Sequence, residues 1–263
     1  MYNFKYQVAS SAEDATSKIN ASDEGKLLAG GMTLLPTMKQ RLAMPSDLID
    51  LSGASLTGIT ASEKTVSIGA MTTHDTVANS KEVSTAIPAL AKLAGGIGDP
   101  AVRNRGTIGG SIANNDPAAD YPAAVLGLGA TVITNRRSIS GDDFFKGMFE
   151  TALGEDEVIV KVDFPTPLKA SYVKFPNPAS RYAIVGVFVA KTISGVRVAV
   201  TGAGACVFRA TEMEAALTKD FSPAALNDSS ISEDGLNADI HASAEYRAHL
   251  VGVMARRAVA ACE

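Results

Sequence analysis

Short runs of apolar residues separated by Gly, Pro, Asn and Asp recur along the whole chain, and their character changes once, near Pro165 and Pro167. Before that point strand-like and helix-like periods alternate. Tyr2–Ala9 mixes aromatic and aliphatic side chains and predicts a short strand. Residues 10–19 (SSAEDATSKI) follow with Ser and acids early and Lys late, the polarity a helix dipole favours. Lys26–Ala29 is a brief apolar run ending at Gly30-Gly31, after which Leu34, Leu35, Met38 and Leu42 form a helical stripe with Thr33 available as its cap. Leu48–Leu51 and Thr65–Ala70 predict strands, with Val66 and Ile68 alternating. Residues 84–94 predict a helix in which Pro88 occupies an early turn or makes a kink. Arg103 and Arg105 could reach a phosphate or a partner's acidic surface, but read most simply as solvated positions flanking a strand. Residues 130–134 (ATVIT) and 157–165 (EVIVKVDFP) predict two more strands, and NRRSIS after the first predicts a hairpin turn with Arg136 and Arg137 facing solvent.

Beyond Pro167 the helical periods give way to 170–180, 181–192 and 196–202, successive strand-like runs with turn residues between them, which favour an antiparallel sheet. TGAGACV at 201–207 approaches a dinucleotide fingerprint, but no helix opens after it and it reads as a turn. EMEAALT and SPAAL are short helical pieces, and residues 243–261 close the chain as a helix with Tyr246, Leu250, Val253 and Met254 toward the core. The prolines at 165 and 167 mark the expected domain boundary, and a chain of 263 residues accommodates one or two domains. The class is α+β.

Composition narrows the function. With a net charge of −4 there is no basic footprint for nucleic acid. No run is apolar for long enough to span a bilayer, and MYNFKYQVAS lacks a signal pattern, so a cytoplasmic location is expected. The 2 cysteines, Cys206 and Cys262, are far apart and the 3 histidines form no ligand spacing, which argues against an iron–sulfur cluster or structural zinc in this chain.

The chemistry sits at two glycine pairs. In GTIGGSIANNDPAADYP (106–122), Thr107 and Ser111 flank Gly109-Gly110, and Asp116 before Pro117 predicts a helix opening at Pro117. Glycine lets bare backbone approach a ligand, and amides beside a helix N-terminus attract anions. Neither pair has the Lys-Ser/Thr ending of a P-loop or the full GxGxxG pattern. Two strand–Gly-Gly–helix sites can instead clamp one long ligand from both sides. A dinucleotide such as FAD fits, with Asp116 and Asp120 available to ribose or adenine groups.

AGGMTLLPTMKQRLAMPSDLIDL together with GTIGGSIANNDPAADYPAA resembles the FAD-binding medium subunits of the molybdenum hydroxylases, most of all those of the aerobic carbon monoxide dehydrogenase type. The resemblance runs through the C-terminal YRAHLVGVMARRAV. It implies a two-subdomain, PCMH-type α/β FAD-binding domain over 1–167 (subdomains about 1–54 and 55–167), then a small domain with an antiparallel sheet and helices over 168–263. It further implies that Ala29, Gly30, Gly31, Met32, Thr33 and Leu34 wrap the FAD diphosphate with Thr107, Ile108, Gly109, Gly110 and Ser111. Asn114, Asp116 and Asp120 would lie near the adenosine or flavin side, and Ile159 and Tyr182 against the flavin ring. Met32 departs from the family, which often has a polar side chain there; its amide can still donate. The resemblance implies non-covalent FAD and an electron-transfer role. It also implies a large molybdenum-pterin subunit and a small [2Fe–2S] subunit as partners in a dimer of heterotrimers, with a quinone as a possible acceptor, at the membrane surface if so. Other readings are a related aldehyde, purine or N-heterocycle dehydrogenase subunit, a stand-alone FAD oxidoreductase, or a non-enzymatic nucleotide-binding protein.

Overall fold

Three sheets follow one another along the chain. The computed structural model describes residues 1–262; Glu263, the last residue of the expected C-terminal domain, lies outside them. The first sheet is parallel, with β1 (Lys5–Val8), β2 (Gly25–Leu28) and β3 (Asp47–Asp50) in the order β1-β3-β2. Helix α1 (Ala12–Asn20) connects β1 to β2 and is capped by Ser11, whose hydroxyl accepts from the Asp14 amide. Helix α2 (Leu34–Lys39) follows Gly30-Gly31; Thr33 stands at its N-cap but makes no capping bond. Ala9, Ala12, Ala15 and Ile49 form the small core here, joined by Val158 from far along the chain.

The second sheet is antiparallel throughout. Its strands are β4 (Ile59–Ala61), β5 (Thr65–Gly69), β6 (Thr131–Thr134), β7 (Ser138–Ser140) and, after a separate hairpin of β8 (Phe145–Gly147) and β9 (Glu150–Thr151), β10 (Ile159–Pro165) in the centre. Between β5 and β6 lie α3 (His74–Asn79), α4 (Lys81–Ala86), α5 (Pro88–Gly95), α6 (Pro100–Arg103), α7 (Ile108–Asn114) and α8 (Tyr121–Leu128); α9 (Gly141–Phe144) follows β7. The single helix expected over 84–94 is therefore two. Pro88 opens the second, and Ile87 before it is held out of the helical region at φ −141°, ψ 72°, as a residue preceding proline tends to be.

No helix opens at Pro117. Asp116 Oδ1 accepts from the Ala118 amide in a tight turn, and α8 starts at Tyr121. The reason is tertiary. The Pro117 carbonyl accepts from the Gly202 amide, the Ala118 carbonyl from the Ala183 amide, and the Ala119 carbonyl from the Thr201 hydroxyl, so these oxygens are committed elsewhere. Asp99-Pro100 does what Asp116-Pro117 was expected to do: Asp99 caps α6 at the Val102 amide, with Pro100 in its first turn. Arg103, on α6 rather than beside a strand, donates to the Ile97 and Gly98 carbonyls. Arg136 and Arg137 are ion-paired with Asp156 and Glu157 rather than simply solvated.

The last sheet runs β11 (Lys169–Pro176), β12 (Ala183–Thr192), β13 (Gly195–Thr201) and β14 (Phe208–Arg209), antiparallel in chain order. Helices α10 (Thr211–Lys219) and α11 (Ala244–Ala260) cover one face. The other face packs on the preceding part of the chain, so Tyr172, Phe188 and Ala190 share a core with Leu90, Leu93 and Val125. Burial on both sides explains the unbroken apolar run Ala183–Ala190. On α11, Leu250 and Met254 face this core, Val253 packs at its edge, and Tyr246 stays outside it.

Candidate functional site

The three parts of the fold meet around a cleft of about 510 Å³, within the range of small-molecule and cofactor sites. Its walls are the 29–34 loop, the first turns of α7, the segment 97–106, the residues leading into β10, and the Ser180–Tyr182 loop.

The loop 29–34 is shaped by close approach. A Cβ on Gly30 would stand 2.0 Å from the Arg105 carbonyl oxygen and 2.8 Å from Gly106 Cα, so only glycine lets the two motifs touch. Gly31 turns the chain away at φ +75°. The amides of Gly30, Gly31, Met32 and Thr33 find no acceptor among the described residues. Backbone donors are almost always paired, and a run of them beside a helix start is an anion-binding nest. Met32 lines the cleft with its amide unpaired and its side chain exposed.

The second motif contributes differently. Thr107 caps α7 by accepting from the Gly110 amide, and the amides of Ile108 and Gly109 donate to the Thr72 and Ala70 carbonyls. These donors are already used. Gly109 is there for packing: a Cβ would lie 2.6 Å from that of Ala70. Thr107, Gly109, Gly110 and Ser111 line the cleft, so this wall is built of glycine and short hydroxylated residues. The structure brings fifteen of the sixteen expected residues to the cleft; Ile108 is fully buried beneath it.

Asp120 lines the inner end, but its oxygens are occupied. Tyr172 donates its hydroxyl to Oδ1 at 2.5 Å, and Lys174 Nζ stands 3.0 Å away. Burial pushes the Asp120 carboxyl above the ordinary range, against the pull of Lys174 and Tyr172. Asp116 and Asn114 stay at the cleft surface.

Three features escaped the sequence. Glu157 lines the cleft from a bidentate pair with Arg137 (2.9 Å to each oxygen) and also accepts from Thr134 and the Gly154 amide. Its pKa is lowered to about 2, chiefly by Arg137, and the arrangement locks the turn that delivers Ile159. Asn115 ends α7 in the left-handed region at φ 43° and donates to the Gly147 and Glu150 carbonyls, clamping the β8–β9 hairpin. His74, the first residue of α3, lines the cleft while almost fully buried. Only Asn115 had a sequence signal, as an Asn able to end a helix.

The architecture fits a dinucleotide: unpaired amides at Gly30–Thr33, an adjoining cradle of glycine and small hydroxylated residues at Thr107–Ser111, and walls at Ile159 and Tyr182. Among the described residues there is no cluster of three or more metal-ligating side chains, and no helix is long and apolar enough to cross a membrane.

Residues 2–167 match the family described as the FAD binding domain in molybdopterin dehydrogenase, and 170–262 the carbon monoxide dehydrogenase flavoprotein C-terminal domain. The chain is 36% identical over 272 residues to the nicotine 6-hydroxylase medium subunit of Paenarthrobacter nicotinovorans (97% of this chain, 95% of the relative). It is 34% identical to the carbon monoxide dehydrogenase medium chain of Hydrogenophaga pseudoflava (97% and 96%). Among solved structures it superposes on carbon monoxide dehydrogenase from H. pseudoflava lacking the Mo-pyranopterin moiety of the molybdenum cofactor, with TM-score 0.89, 35% identity and coverage of 98% and 96%. The cyanide-inactivated form of a Cu,Mo-CO dehydrogenase gives TM-score 0.91 at 30% identity, with coverage of 99% and 98%. Other relatives are a glyceraldehyde dehydrogenase medium chain and a xanthine dehydrogenase FAD-binding subunit, again parts of oxidoreductases. With both domain families matched, and the nicotine 6-hydroxylase and H. pseudoflava medium chains aligned over nearly their whole length, the chain belongs to the FAD-binding medium subunits of the molybdenum hydroxylases.

Proposed function

We propose that this chain is the electron-transfer subunit of a molybdenum hydroxylase complex of the carbon monoxide dehydrogenase type, linking iron–sulfur clusters on a partner to an external acceptor. The observation that carries the reading is the row of unpaired amides from Gly30 to Thr33 in the wall of a cleft that the adjoining Thr107–Ser111 cradle also lines. In this reading the 29–34 loop and the cradle hold the FAD diphosphate, with Ile108 supporting from below. Asn114 and Asp116 take hydroxyl or amine groups, and Ile159 and Tyr182 flank the flavin ring. Asp120 acts from behind, fixing α8 against β11. Bound there without a covalent link, FAD would supply reversible electron chemistry, while the protein positions and shields it. The chain divides at Pro165–Pro167 into the FAD-binding domain 1–167 and the domain 168–263. Its partners are a large molybdenum subunit and a small [2Fe–2S] subunit, doubled into a dimer of heterotrimers in the cytoplasm, with a quinone as acceptor.

A second reading keeps the role and changes the complex's substrate to an N-heterocycle; the nicotine 6-hydroxylase relative, at 36% identity, favours it. Substrate choice belongs to the large subunit. Purified complex and isolated chain should be denatured, filtered, and the filtrate and spectra compared. One FAD per chain in the filtrate, with iron–sulfur absorption in the complex alone, is expected. Flavin that stays with the protein, or no flavin after reconstitution, counts against it. Turnover of the co-purified complex with carbon monoxide and with nicotine-like heterocycles separates the two substrate readings.

A further inference from the structure

His74 is 5% exposed and yet borders the cleft. Its amide donates to the Gly106 carbonyl at 2.9 Å, and the Nε2–Cδ2 edge of its ring lies against Gly106, where a Cβ would stand 2.5 Å from Nε2. Gly106 in turn abuts Gly30. The imidazole thus sits directly behind the point where the two glycine motifs touch. Its other nitrogen, Nδ1, is buried and has no hydrogen-bond partner. The neighbouring Tyr121, with ring centroids 5.3 Å apart, has an unpaired buried hydroxyl of its own.

A neutral imidazole carries its proton on one nitrogen only. A buried N–H without an acceptor is among the rarest defects in folded proteins, whereas an unsatisfied lone pair is better tolerated. Nδ1 is enclosed and finds no acceptor within hydrogen-bond distance; the Tyr121 hydroxyl, which could have accepted from it, is likewise unpartnered. The proton therefore belongs on Nε2, the nitrogen at the cleft edge. The ring is neutral near pH 7: burial, seconded by the Arg103 guanidinium, lowers its pKa to about 4. Arg103 on α6 and Tyr121 on α8 are the titratable groups that face it.

We propose that His74 is a further cofactor-positioning residue, whose neutral ring carries its proton on Nε2 and presents that N–H, beside Gly106, to the anionic linkage of the dinucleotide. The assignment rests on the FAD reading of the cleft and adds to it a donor that neither glycine motif contains. It also gives α3 a part in the site, since the helix start fixes the imidazole.

The test uses the full chain stripped of flavin. Long-range ¹H–¹⁵N correlation spectra of ¹⁵N-histidine-labelled protein report the tautomer of each ring, and loss of one signal set in His74→Gln assigns His74. The Nε2–H tautomer from pH 8 to 6, with its Nε2 resonance shifting on addition of FAD, is expected. FAD titration followed by flavin fluorescence should show His74→Phe weakened about 10- to 100-fold, as for loss of one hydrogen bond to a charged group. His74→Gln, which keeps an N–H donor, should recover part of that loss. Circular dichroism and melting confirm that both variants are folded. An Nδ1–H tautomer, or folded His74→Phe binding FAD within twofold of the parent chain, overturns the proposal and leaves the FAD reading standing. A parent chain that takes up no FAD overturns both.

Discussion

At Gly30, any side chain would begin 2.0 Å from the Arg105 carbonyl oxygen. Gly30→Ala must therefore part the two motifs, at a cost of about 1–3 kcal/mol for an overpacked site, visible as a lower Tm together with lost flavin. Gly110 is different. A Cβ there meets Thr107 Oγ1 at 3.0 Å and Ala29 Cβ at 3.4 Å, contacts that small shifts can relieve. Gly110→Val should keep its fold, with stability changed by roughly 1 kcal/mol, while flavin content drops sharply. Undiminished FAD in folded Gly110→Val would remove the cradle from the site. His74 gives a pH signature. Its pKa falls from the ordinary 6.5 to about 4 on folding, so between these values the unfolded chain binds more protons. The stability contribution of neutral His74 is complete above pH 6.5 and lost as pH falls toward 4, by about 3 kcal/mol. Measured by urea unfolding, the parent chain should lose about 3 kcal/mol relative to His74→Phe as pH falls across that window. Parallel curves would show that His74 is not the group responsible.

Among the elements, α6 and the loops on either side of it form one wall of the cleft. Arg103 closes the loop before α6 by donating to the Ile97 and Gly98 carbonyls. Arg103→Ala should loosen the cleft wall and raise the rate of FAD dissociation, with little change in binding to partner subunits. A pull-down that fails while flavin stays bound would place Arg103 at an interface instead. Two element-level expectations from the sequence failed, for opposite reasons, one tertiary and one local. Asp99-Pro100 and Asp116-Pro117 carry the same local helix-start signal, and only the first is followed immediately by a helix. At 117–119 the carbonyls are claimed by Thr201, Gly202 and Ala183, residues more than sixty positions away. Pro88 could have been read better, because the restriction on the residue before proline is itself local.

Across the whole molecule, the joint between the last sheet and the site is a buried polar cluster. Asp120 at the start of α8 meets Tyr172 and Lys174 of β11, and Lys174 also donates to the Gly96 carbonyl. Asp120→Ala leaves a buried ammonium without its carboxylate and should cost about 3–5 kcal/mol. Asp120→Leu combined with Lys174→Met should be milder than the sum of the single changes, since no uncompensated charge remains. Chemical denaturation of the three variants tests this, and strict additivity would show that the pair is not coupled. Such destabilisation should also loosen flavin binding, because Asp120, at the N-cap of α8, and the 180–182 loop both line the cleft.

Local physics determined much of this protein. Apolar runs placed the strands, including the one within 181–192, and the early Ser and acids with a late Lys placed α1. The two glycine pairs marked the cleft because only residues without side chains permit those approaches, a property written in the sequence. The tertiary structure decided how each motif is used. Gly30–Thr33 has unpaired amides because no strand or helix claims them, whereas those of Ile108–Gly110 are taken up by Ala70, Thr72 and the Thr107 hydroxyl. It also committed Asp120 to Lys174 and put His74 behind Gly106. A side chain's free hydrogen-bonding capacity depends on partners distant in sequence, and no local pattern records which of them will arrive.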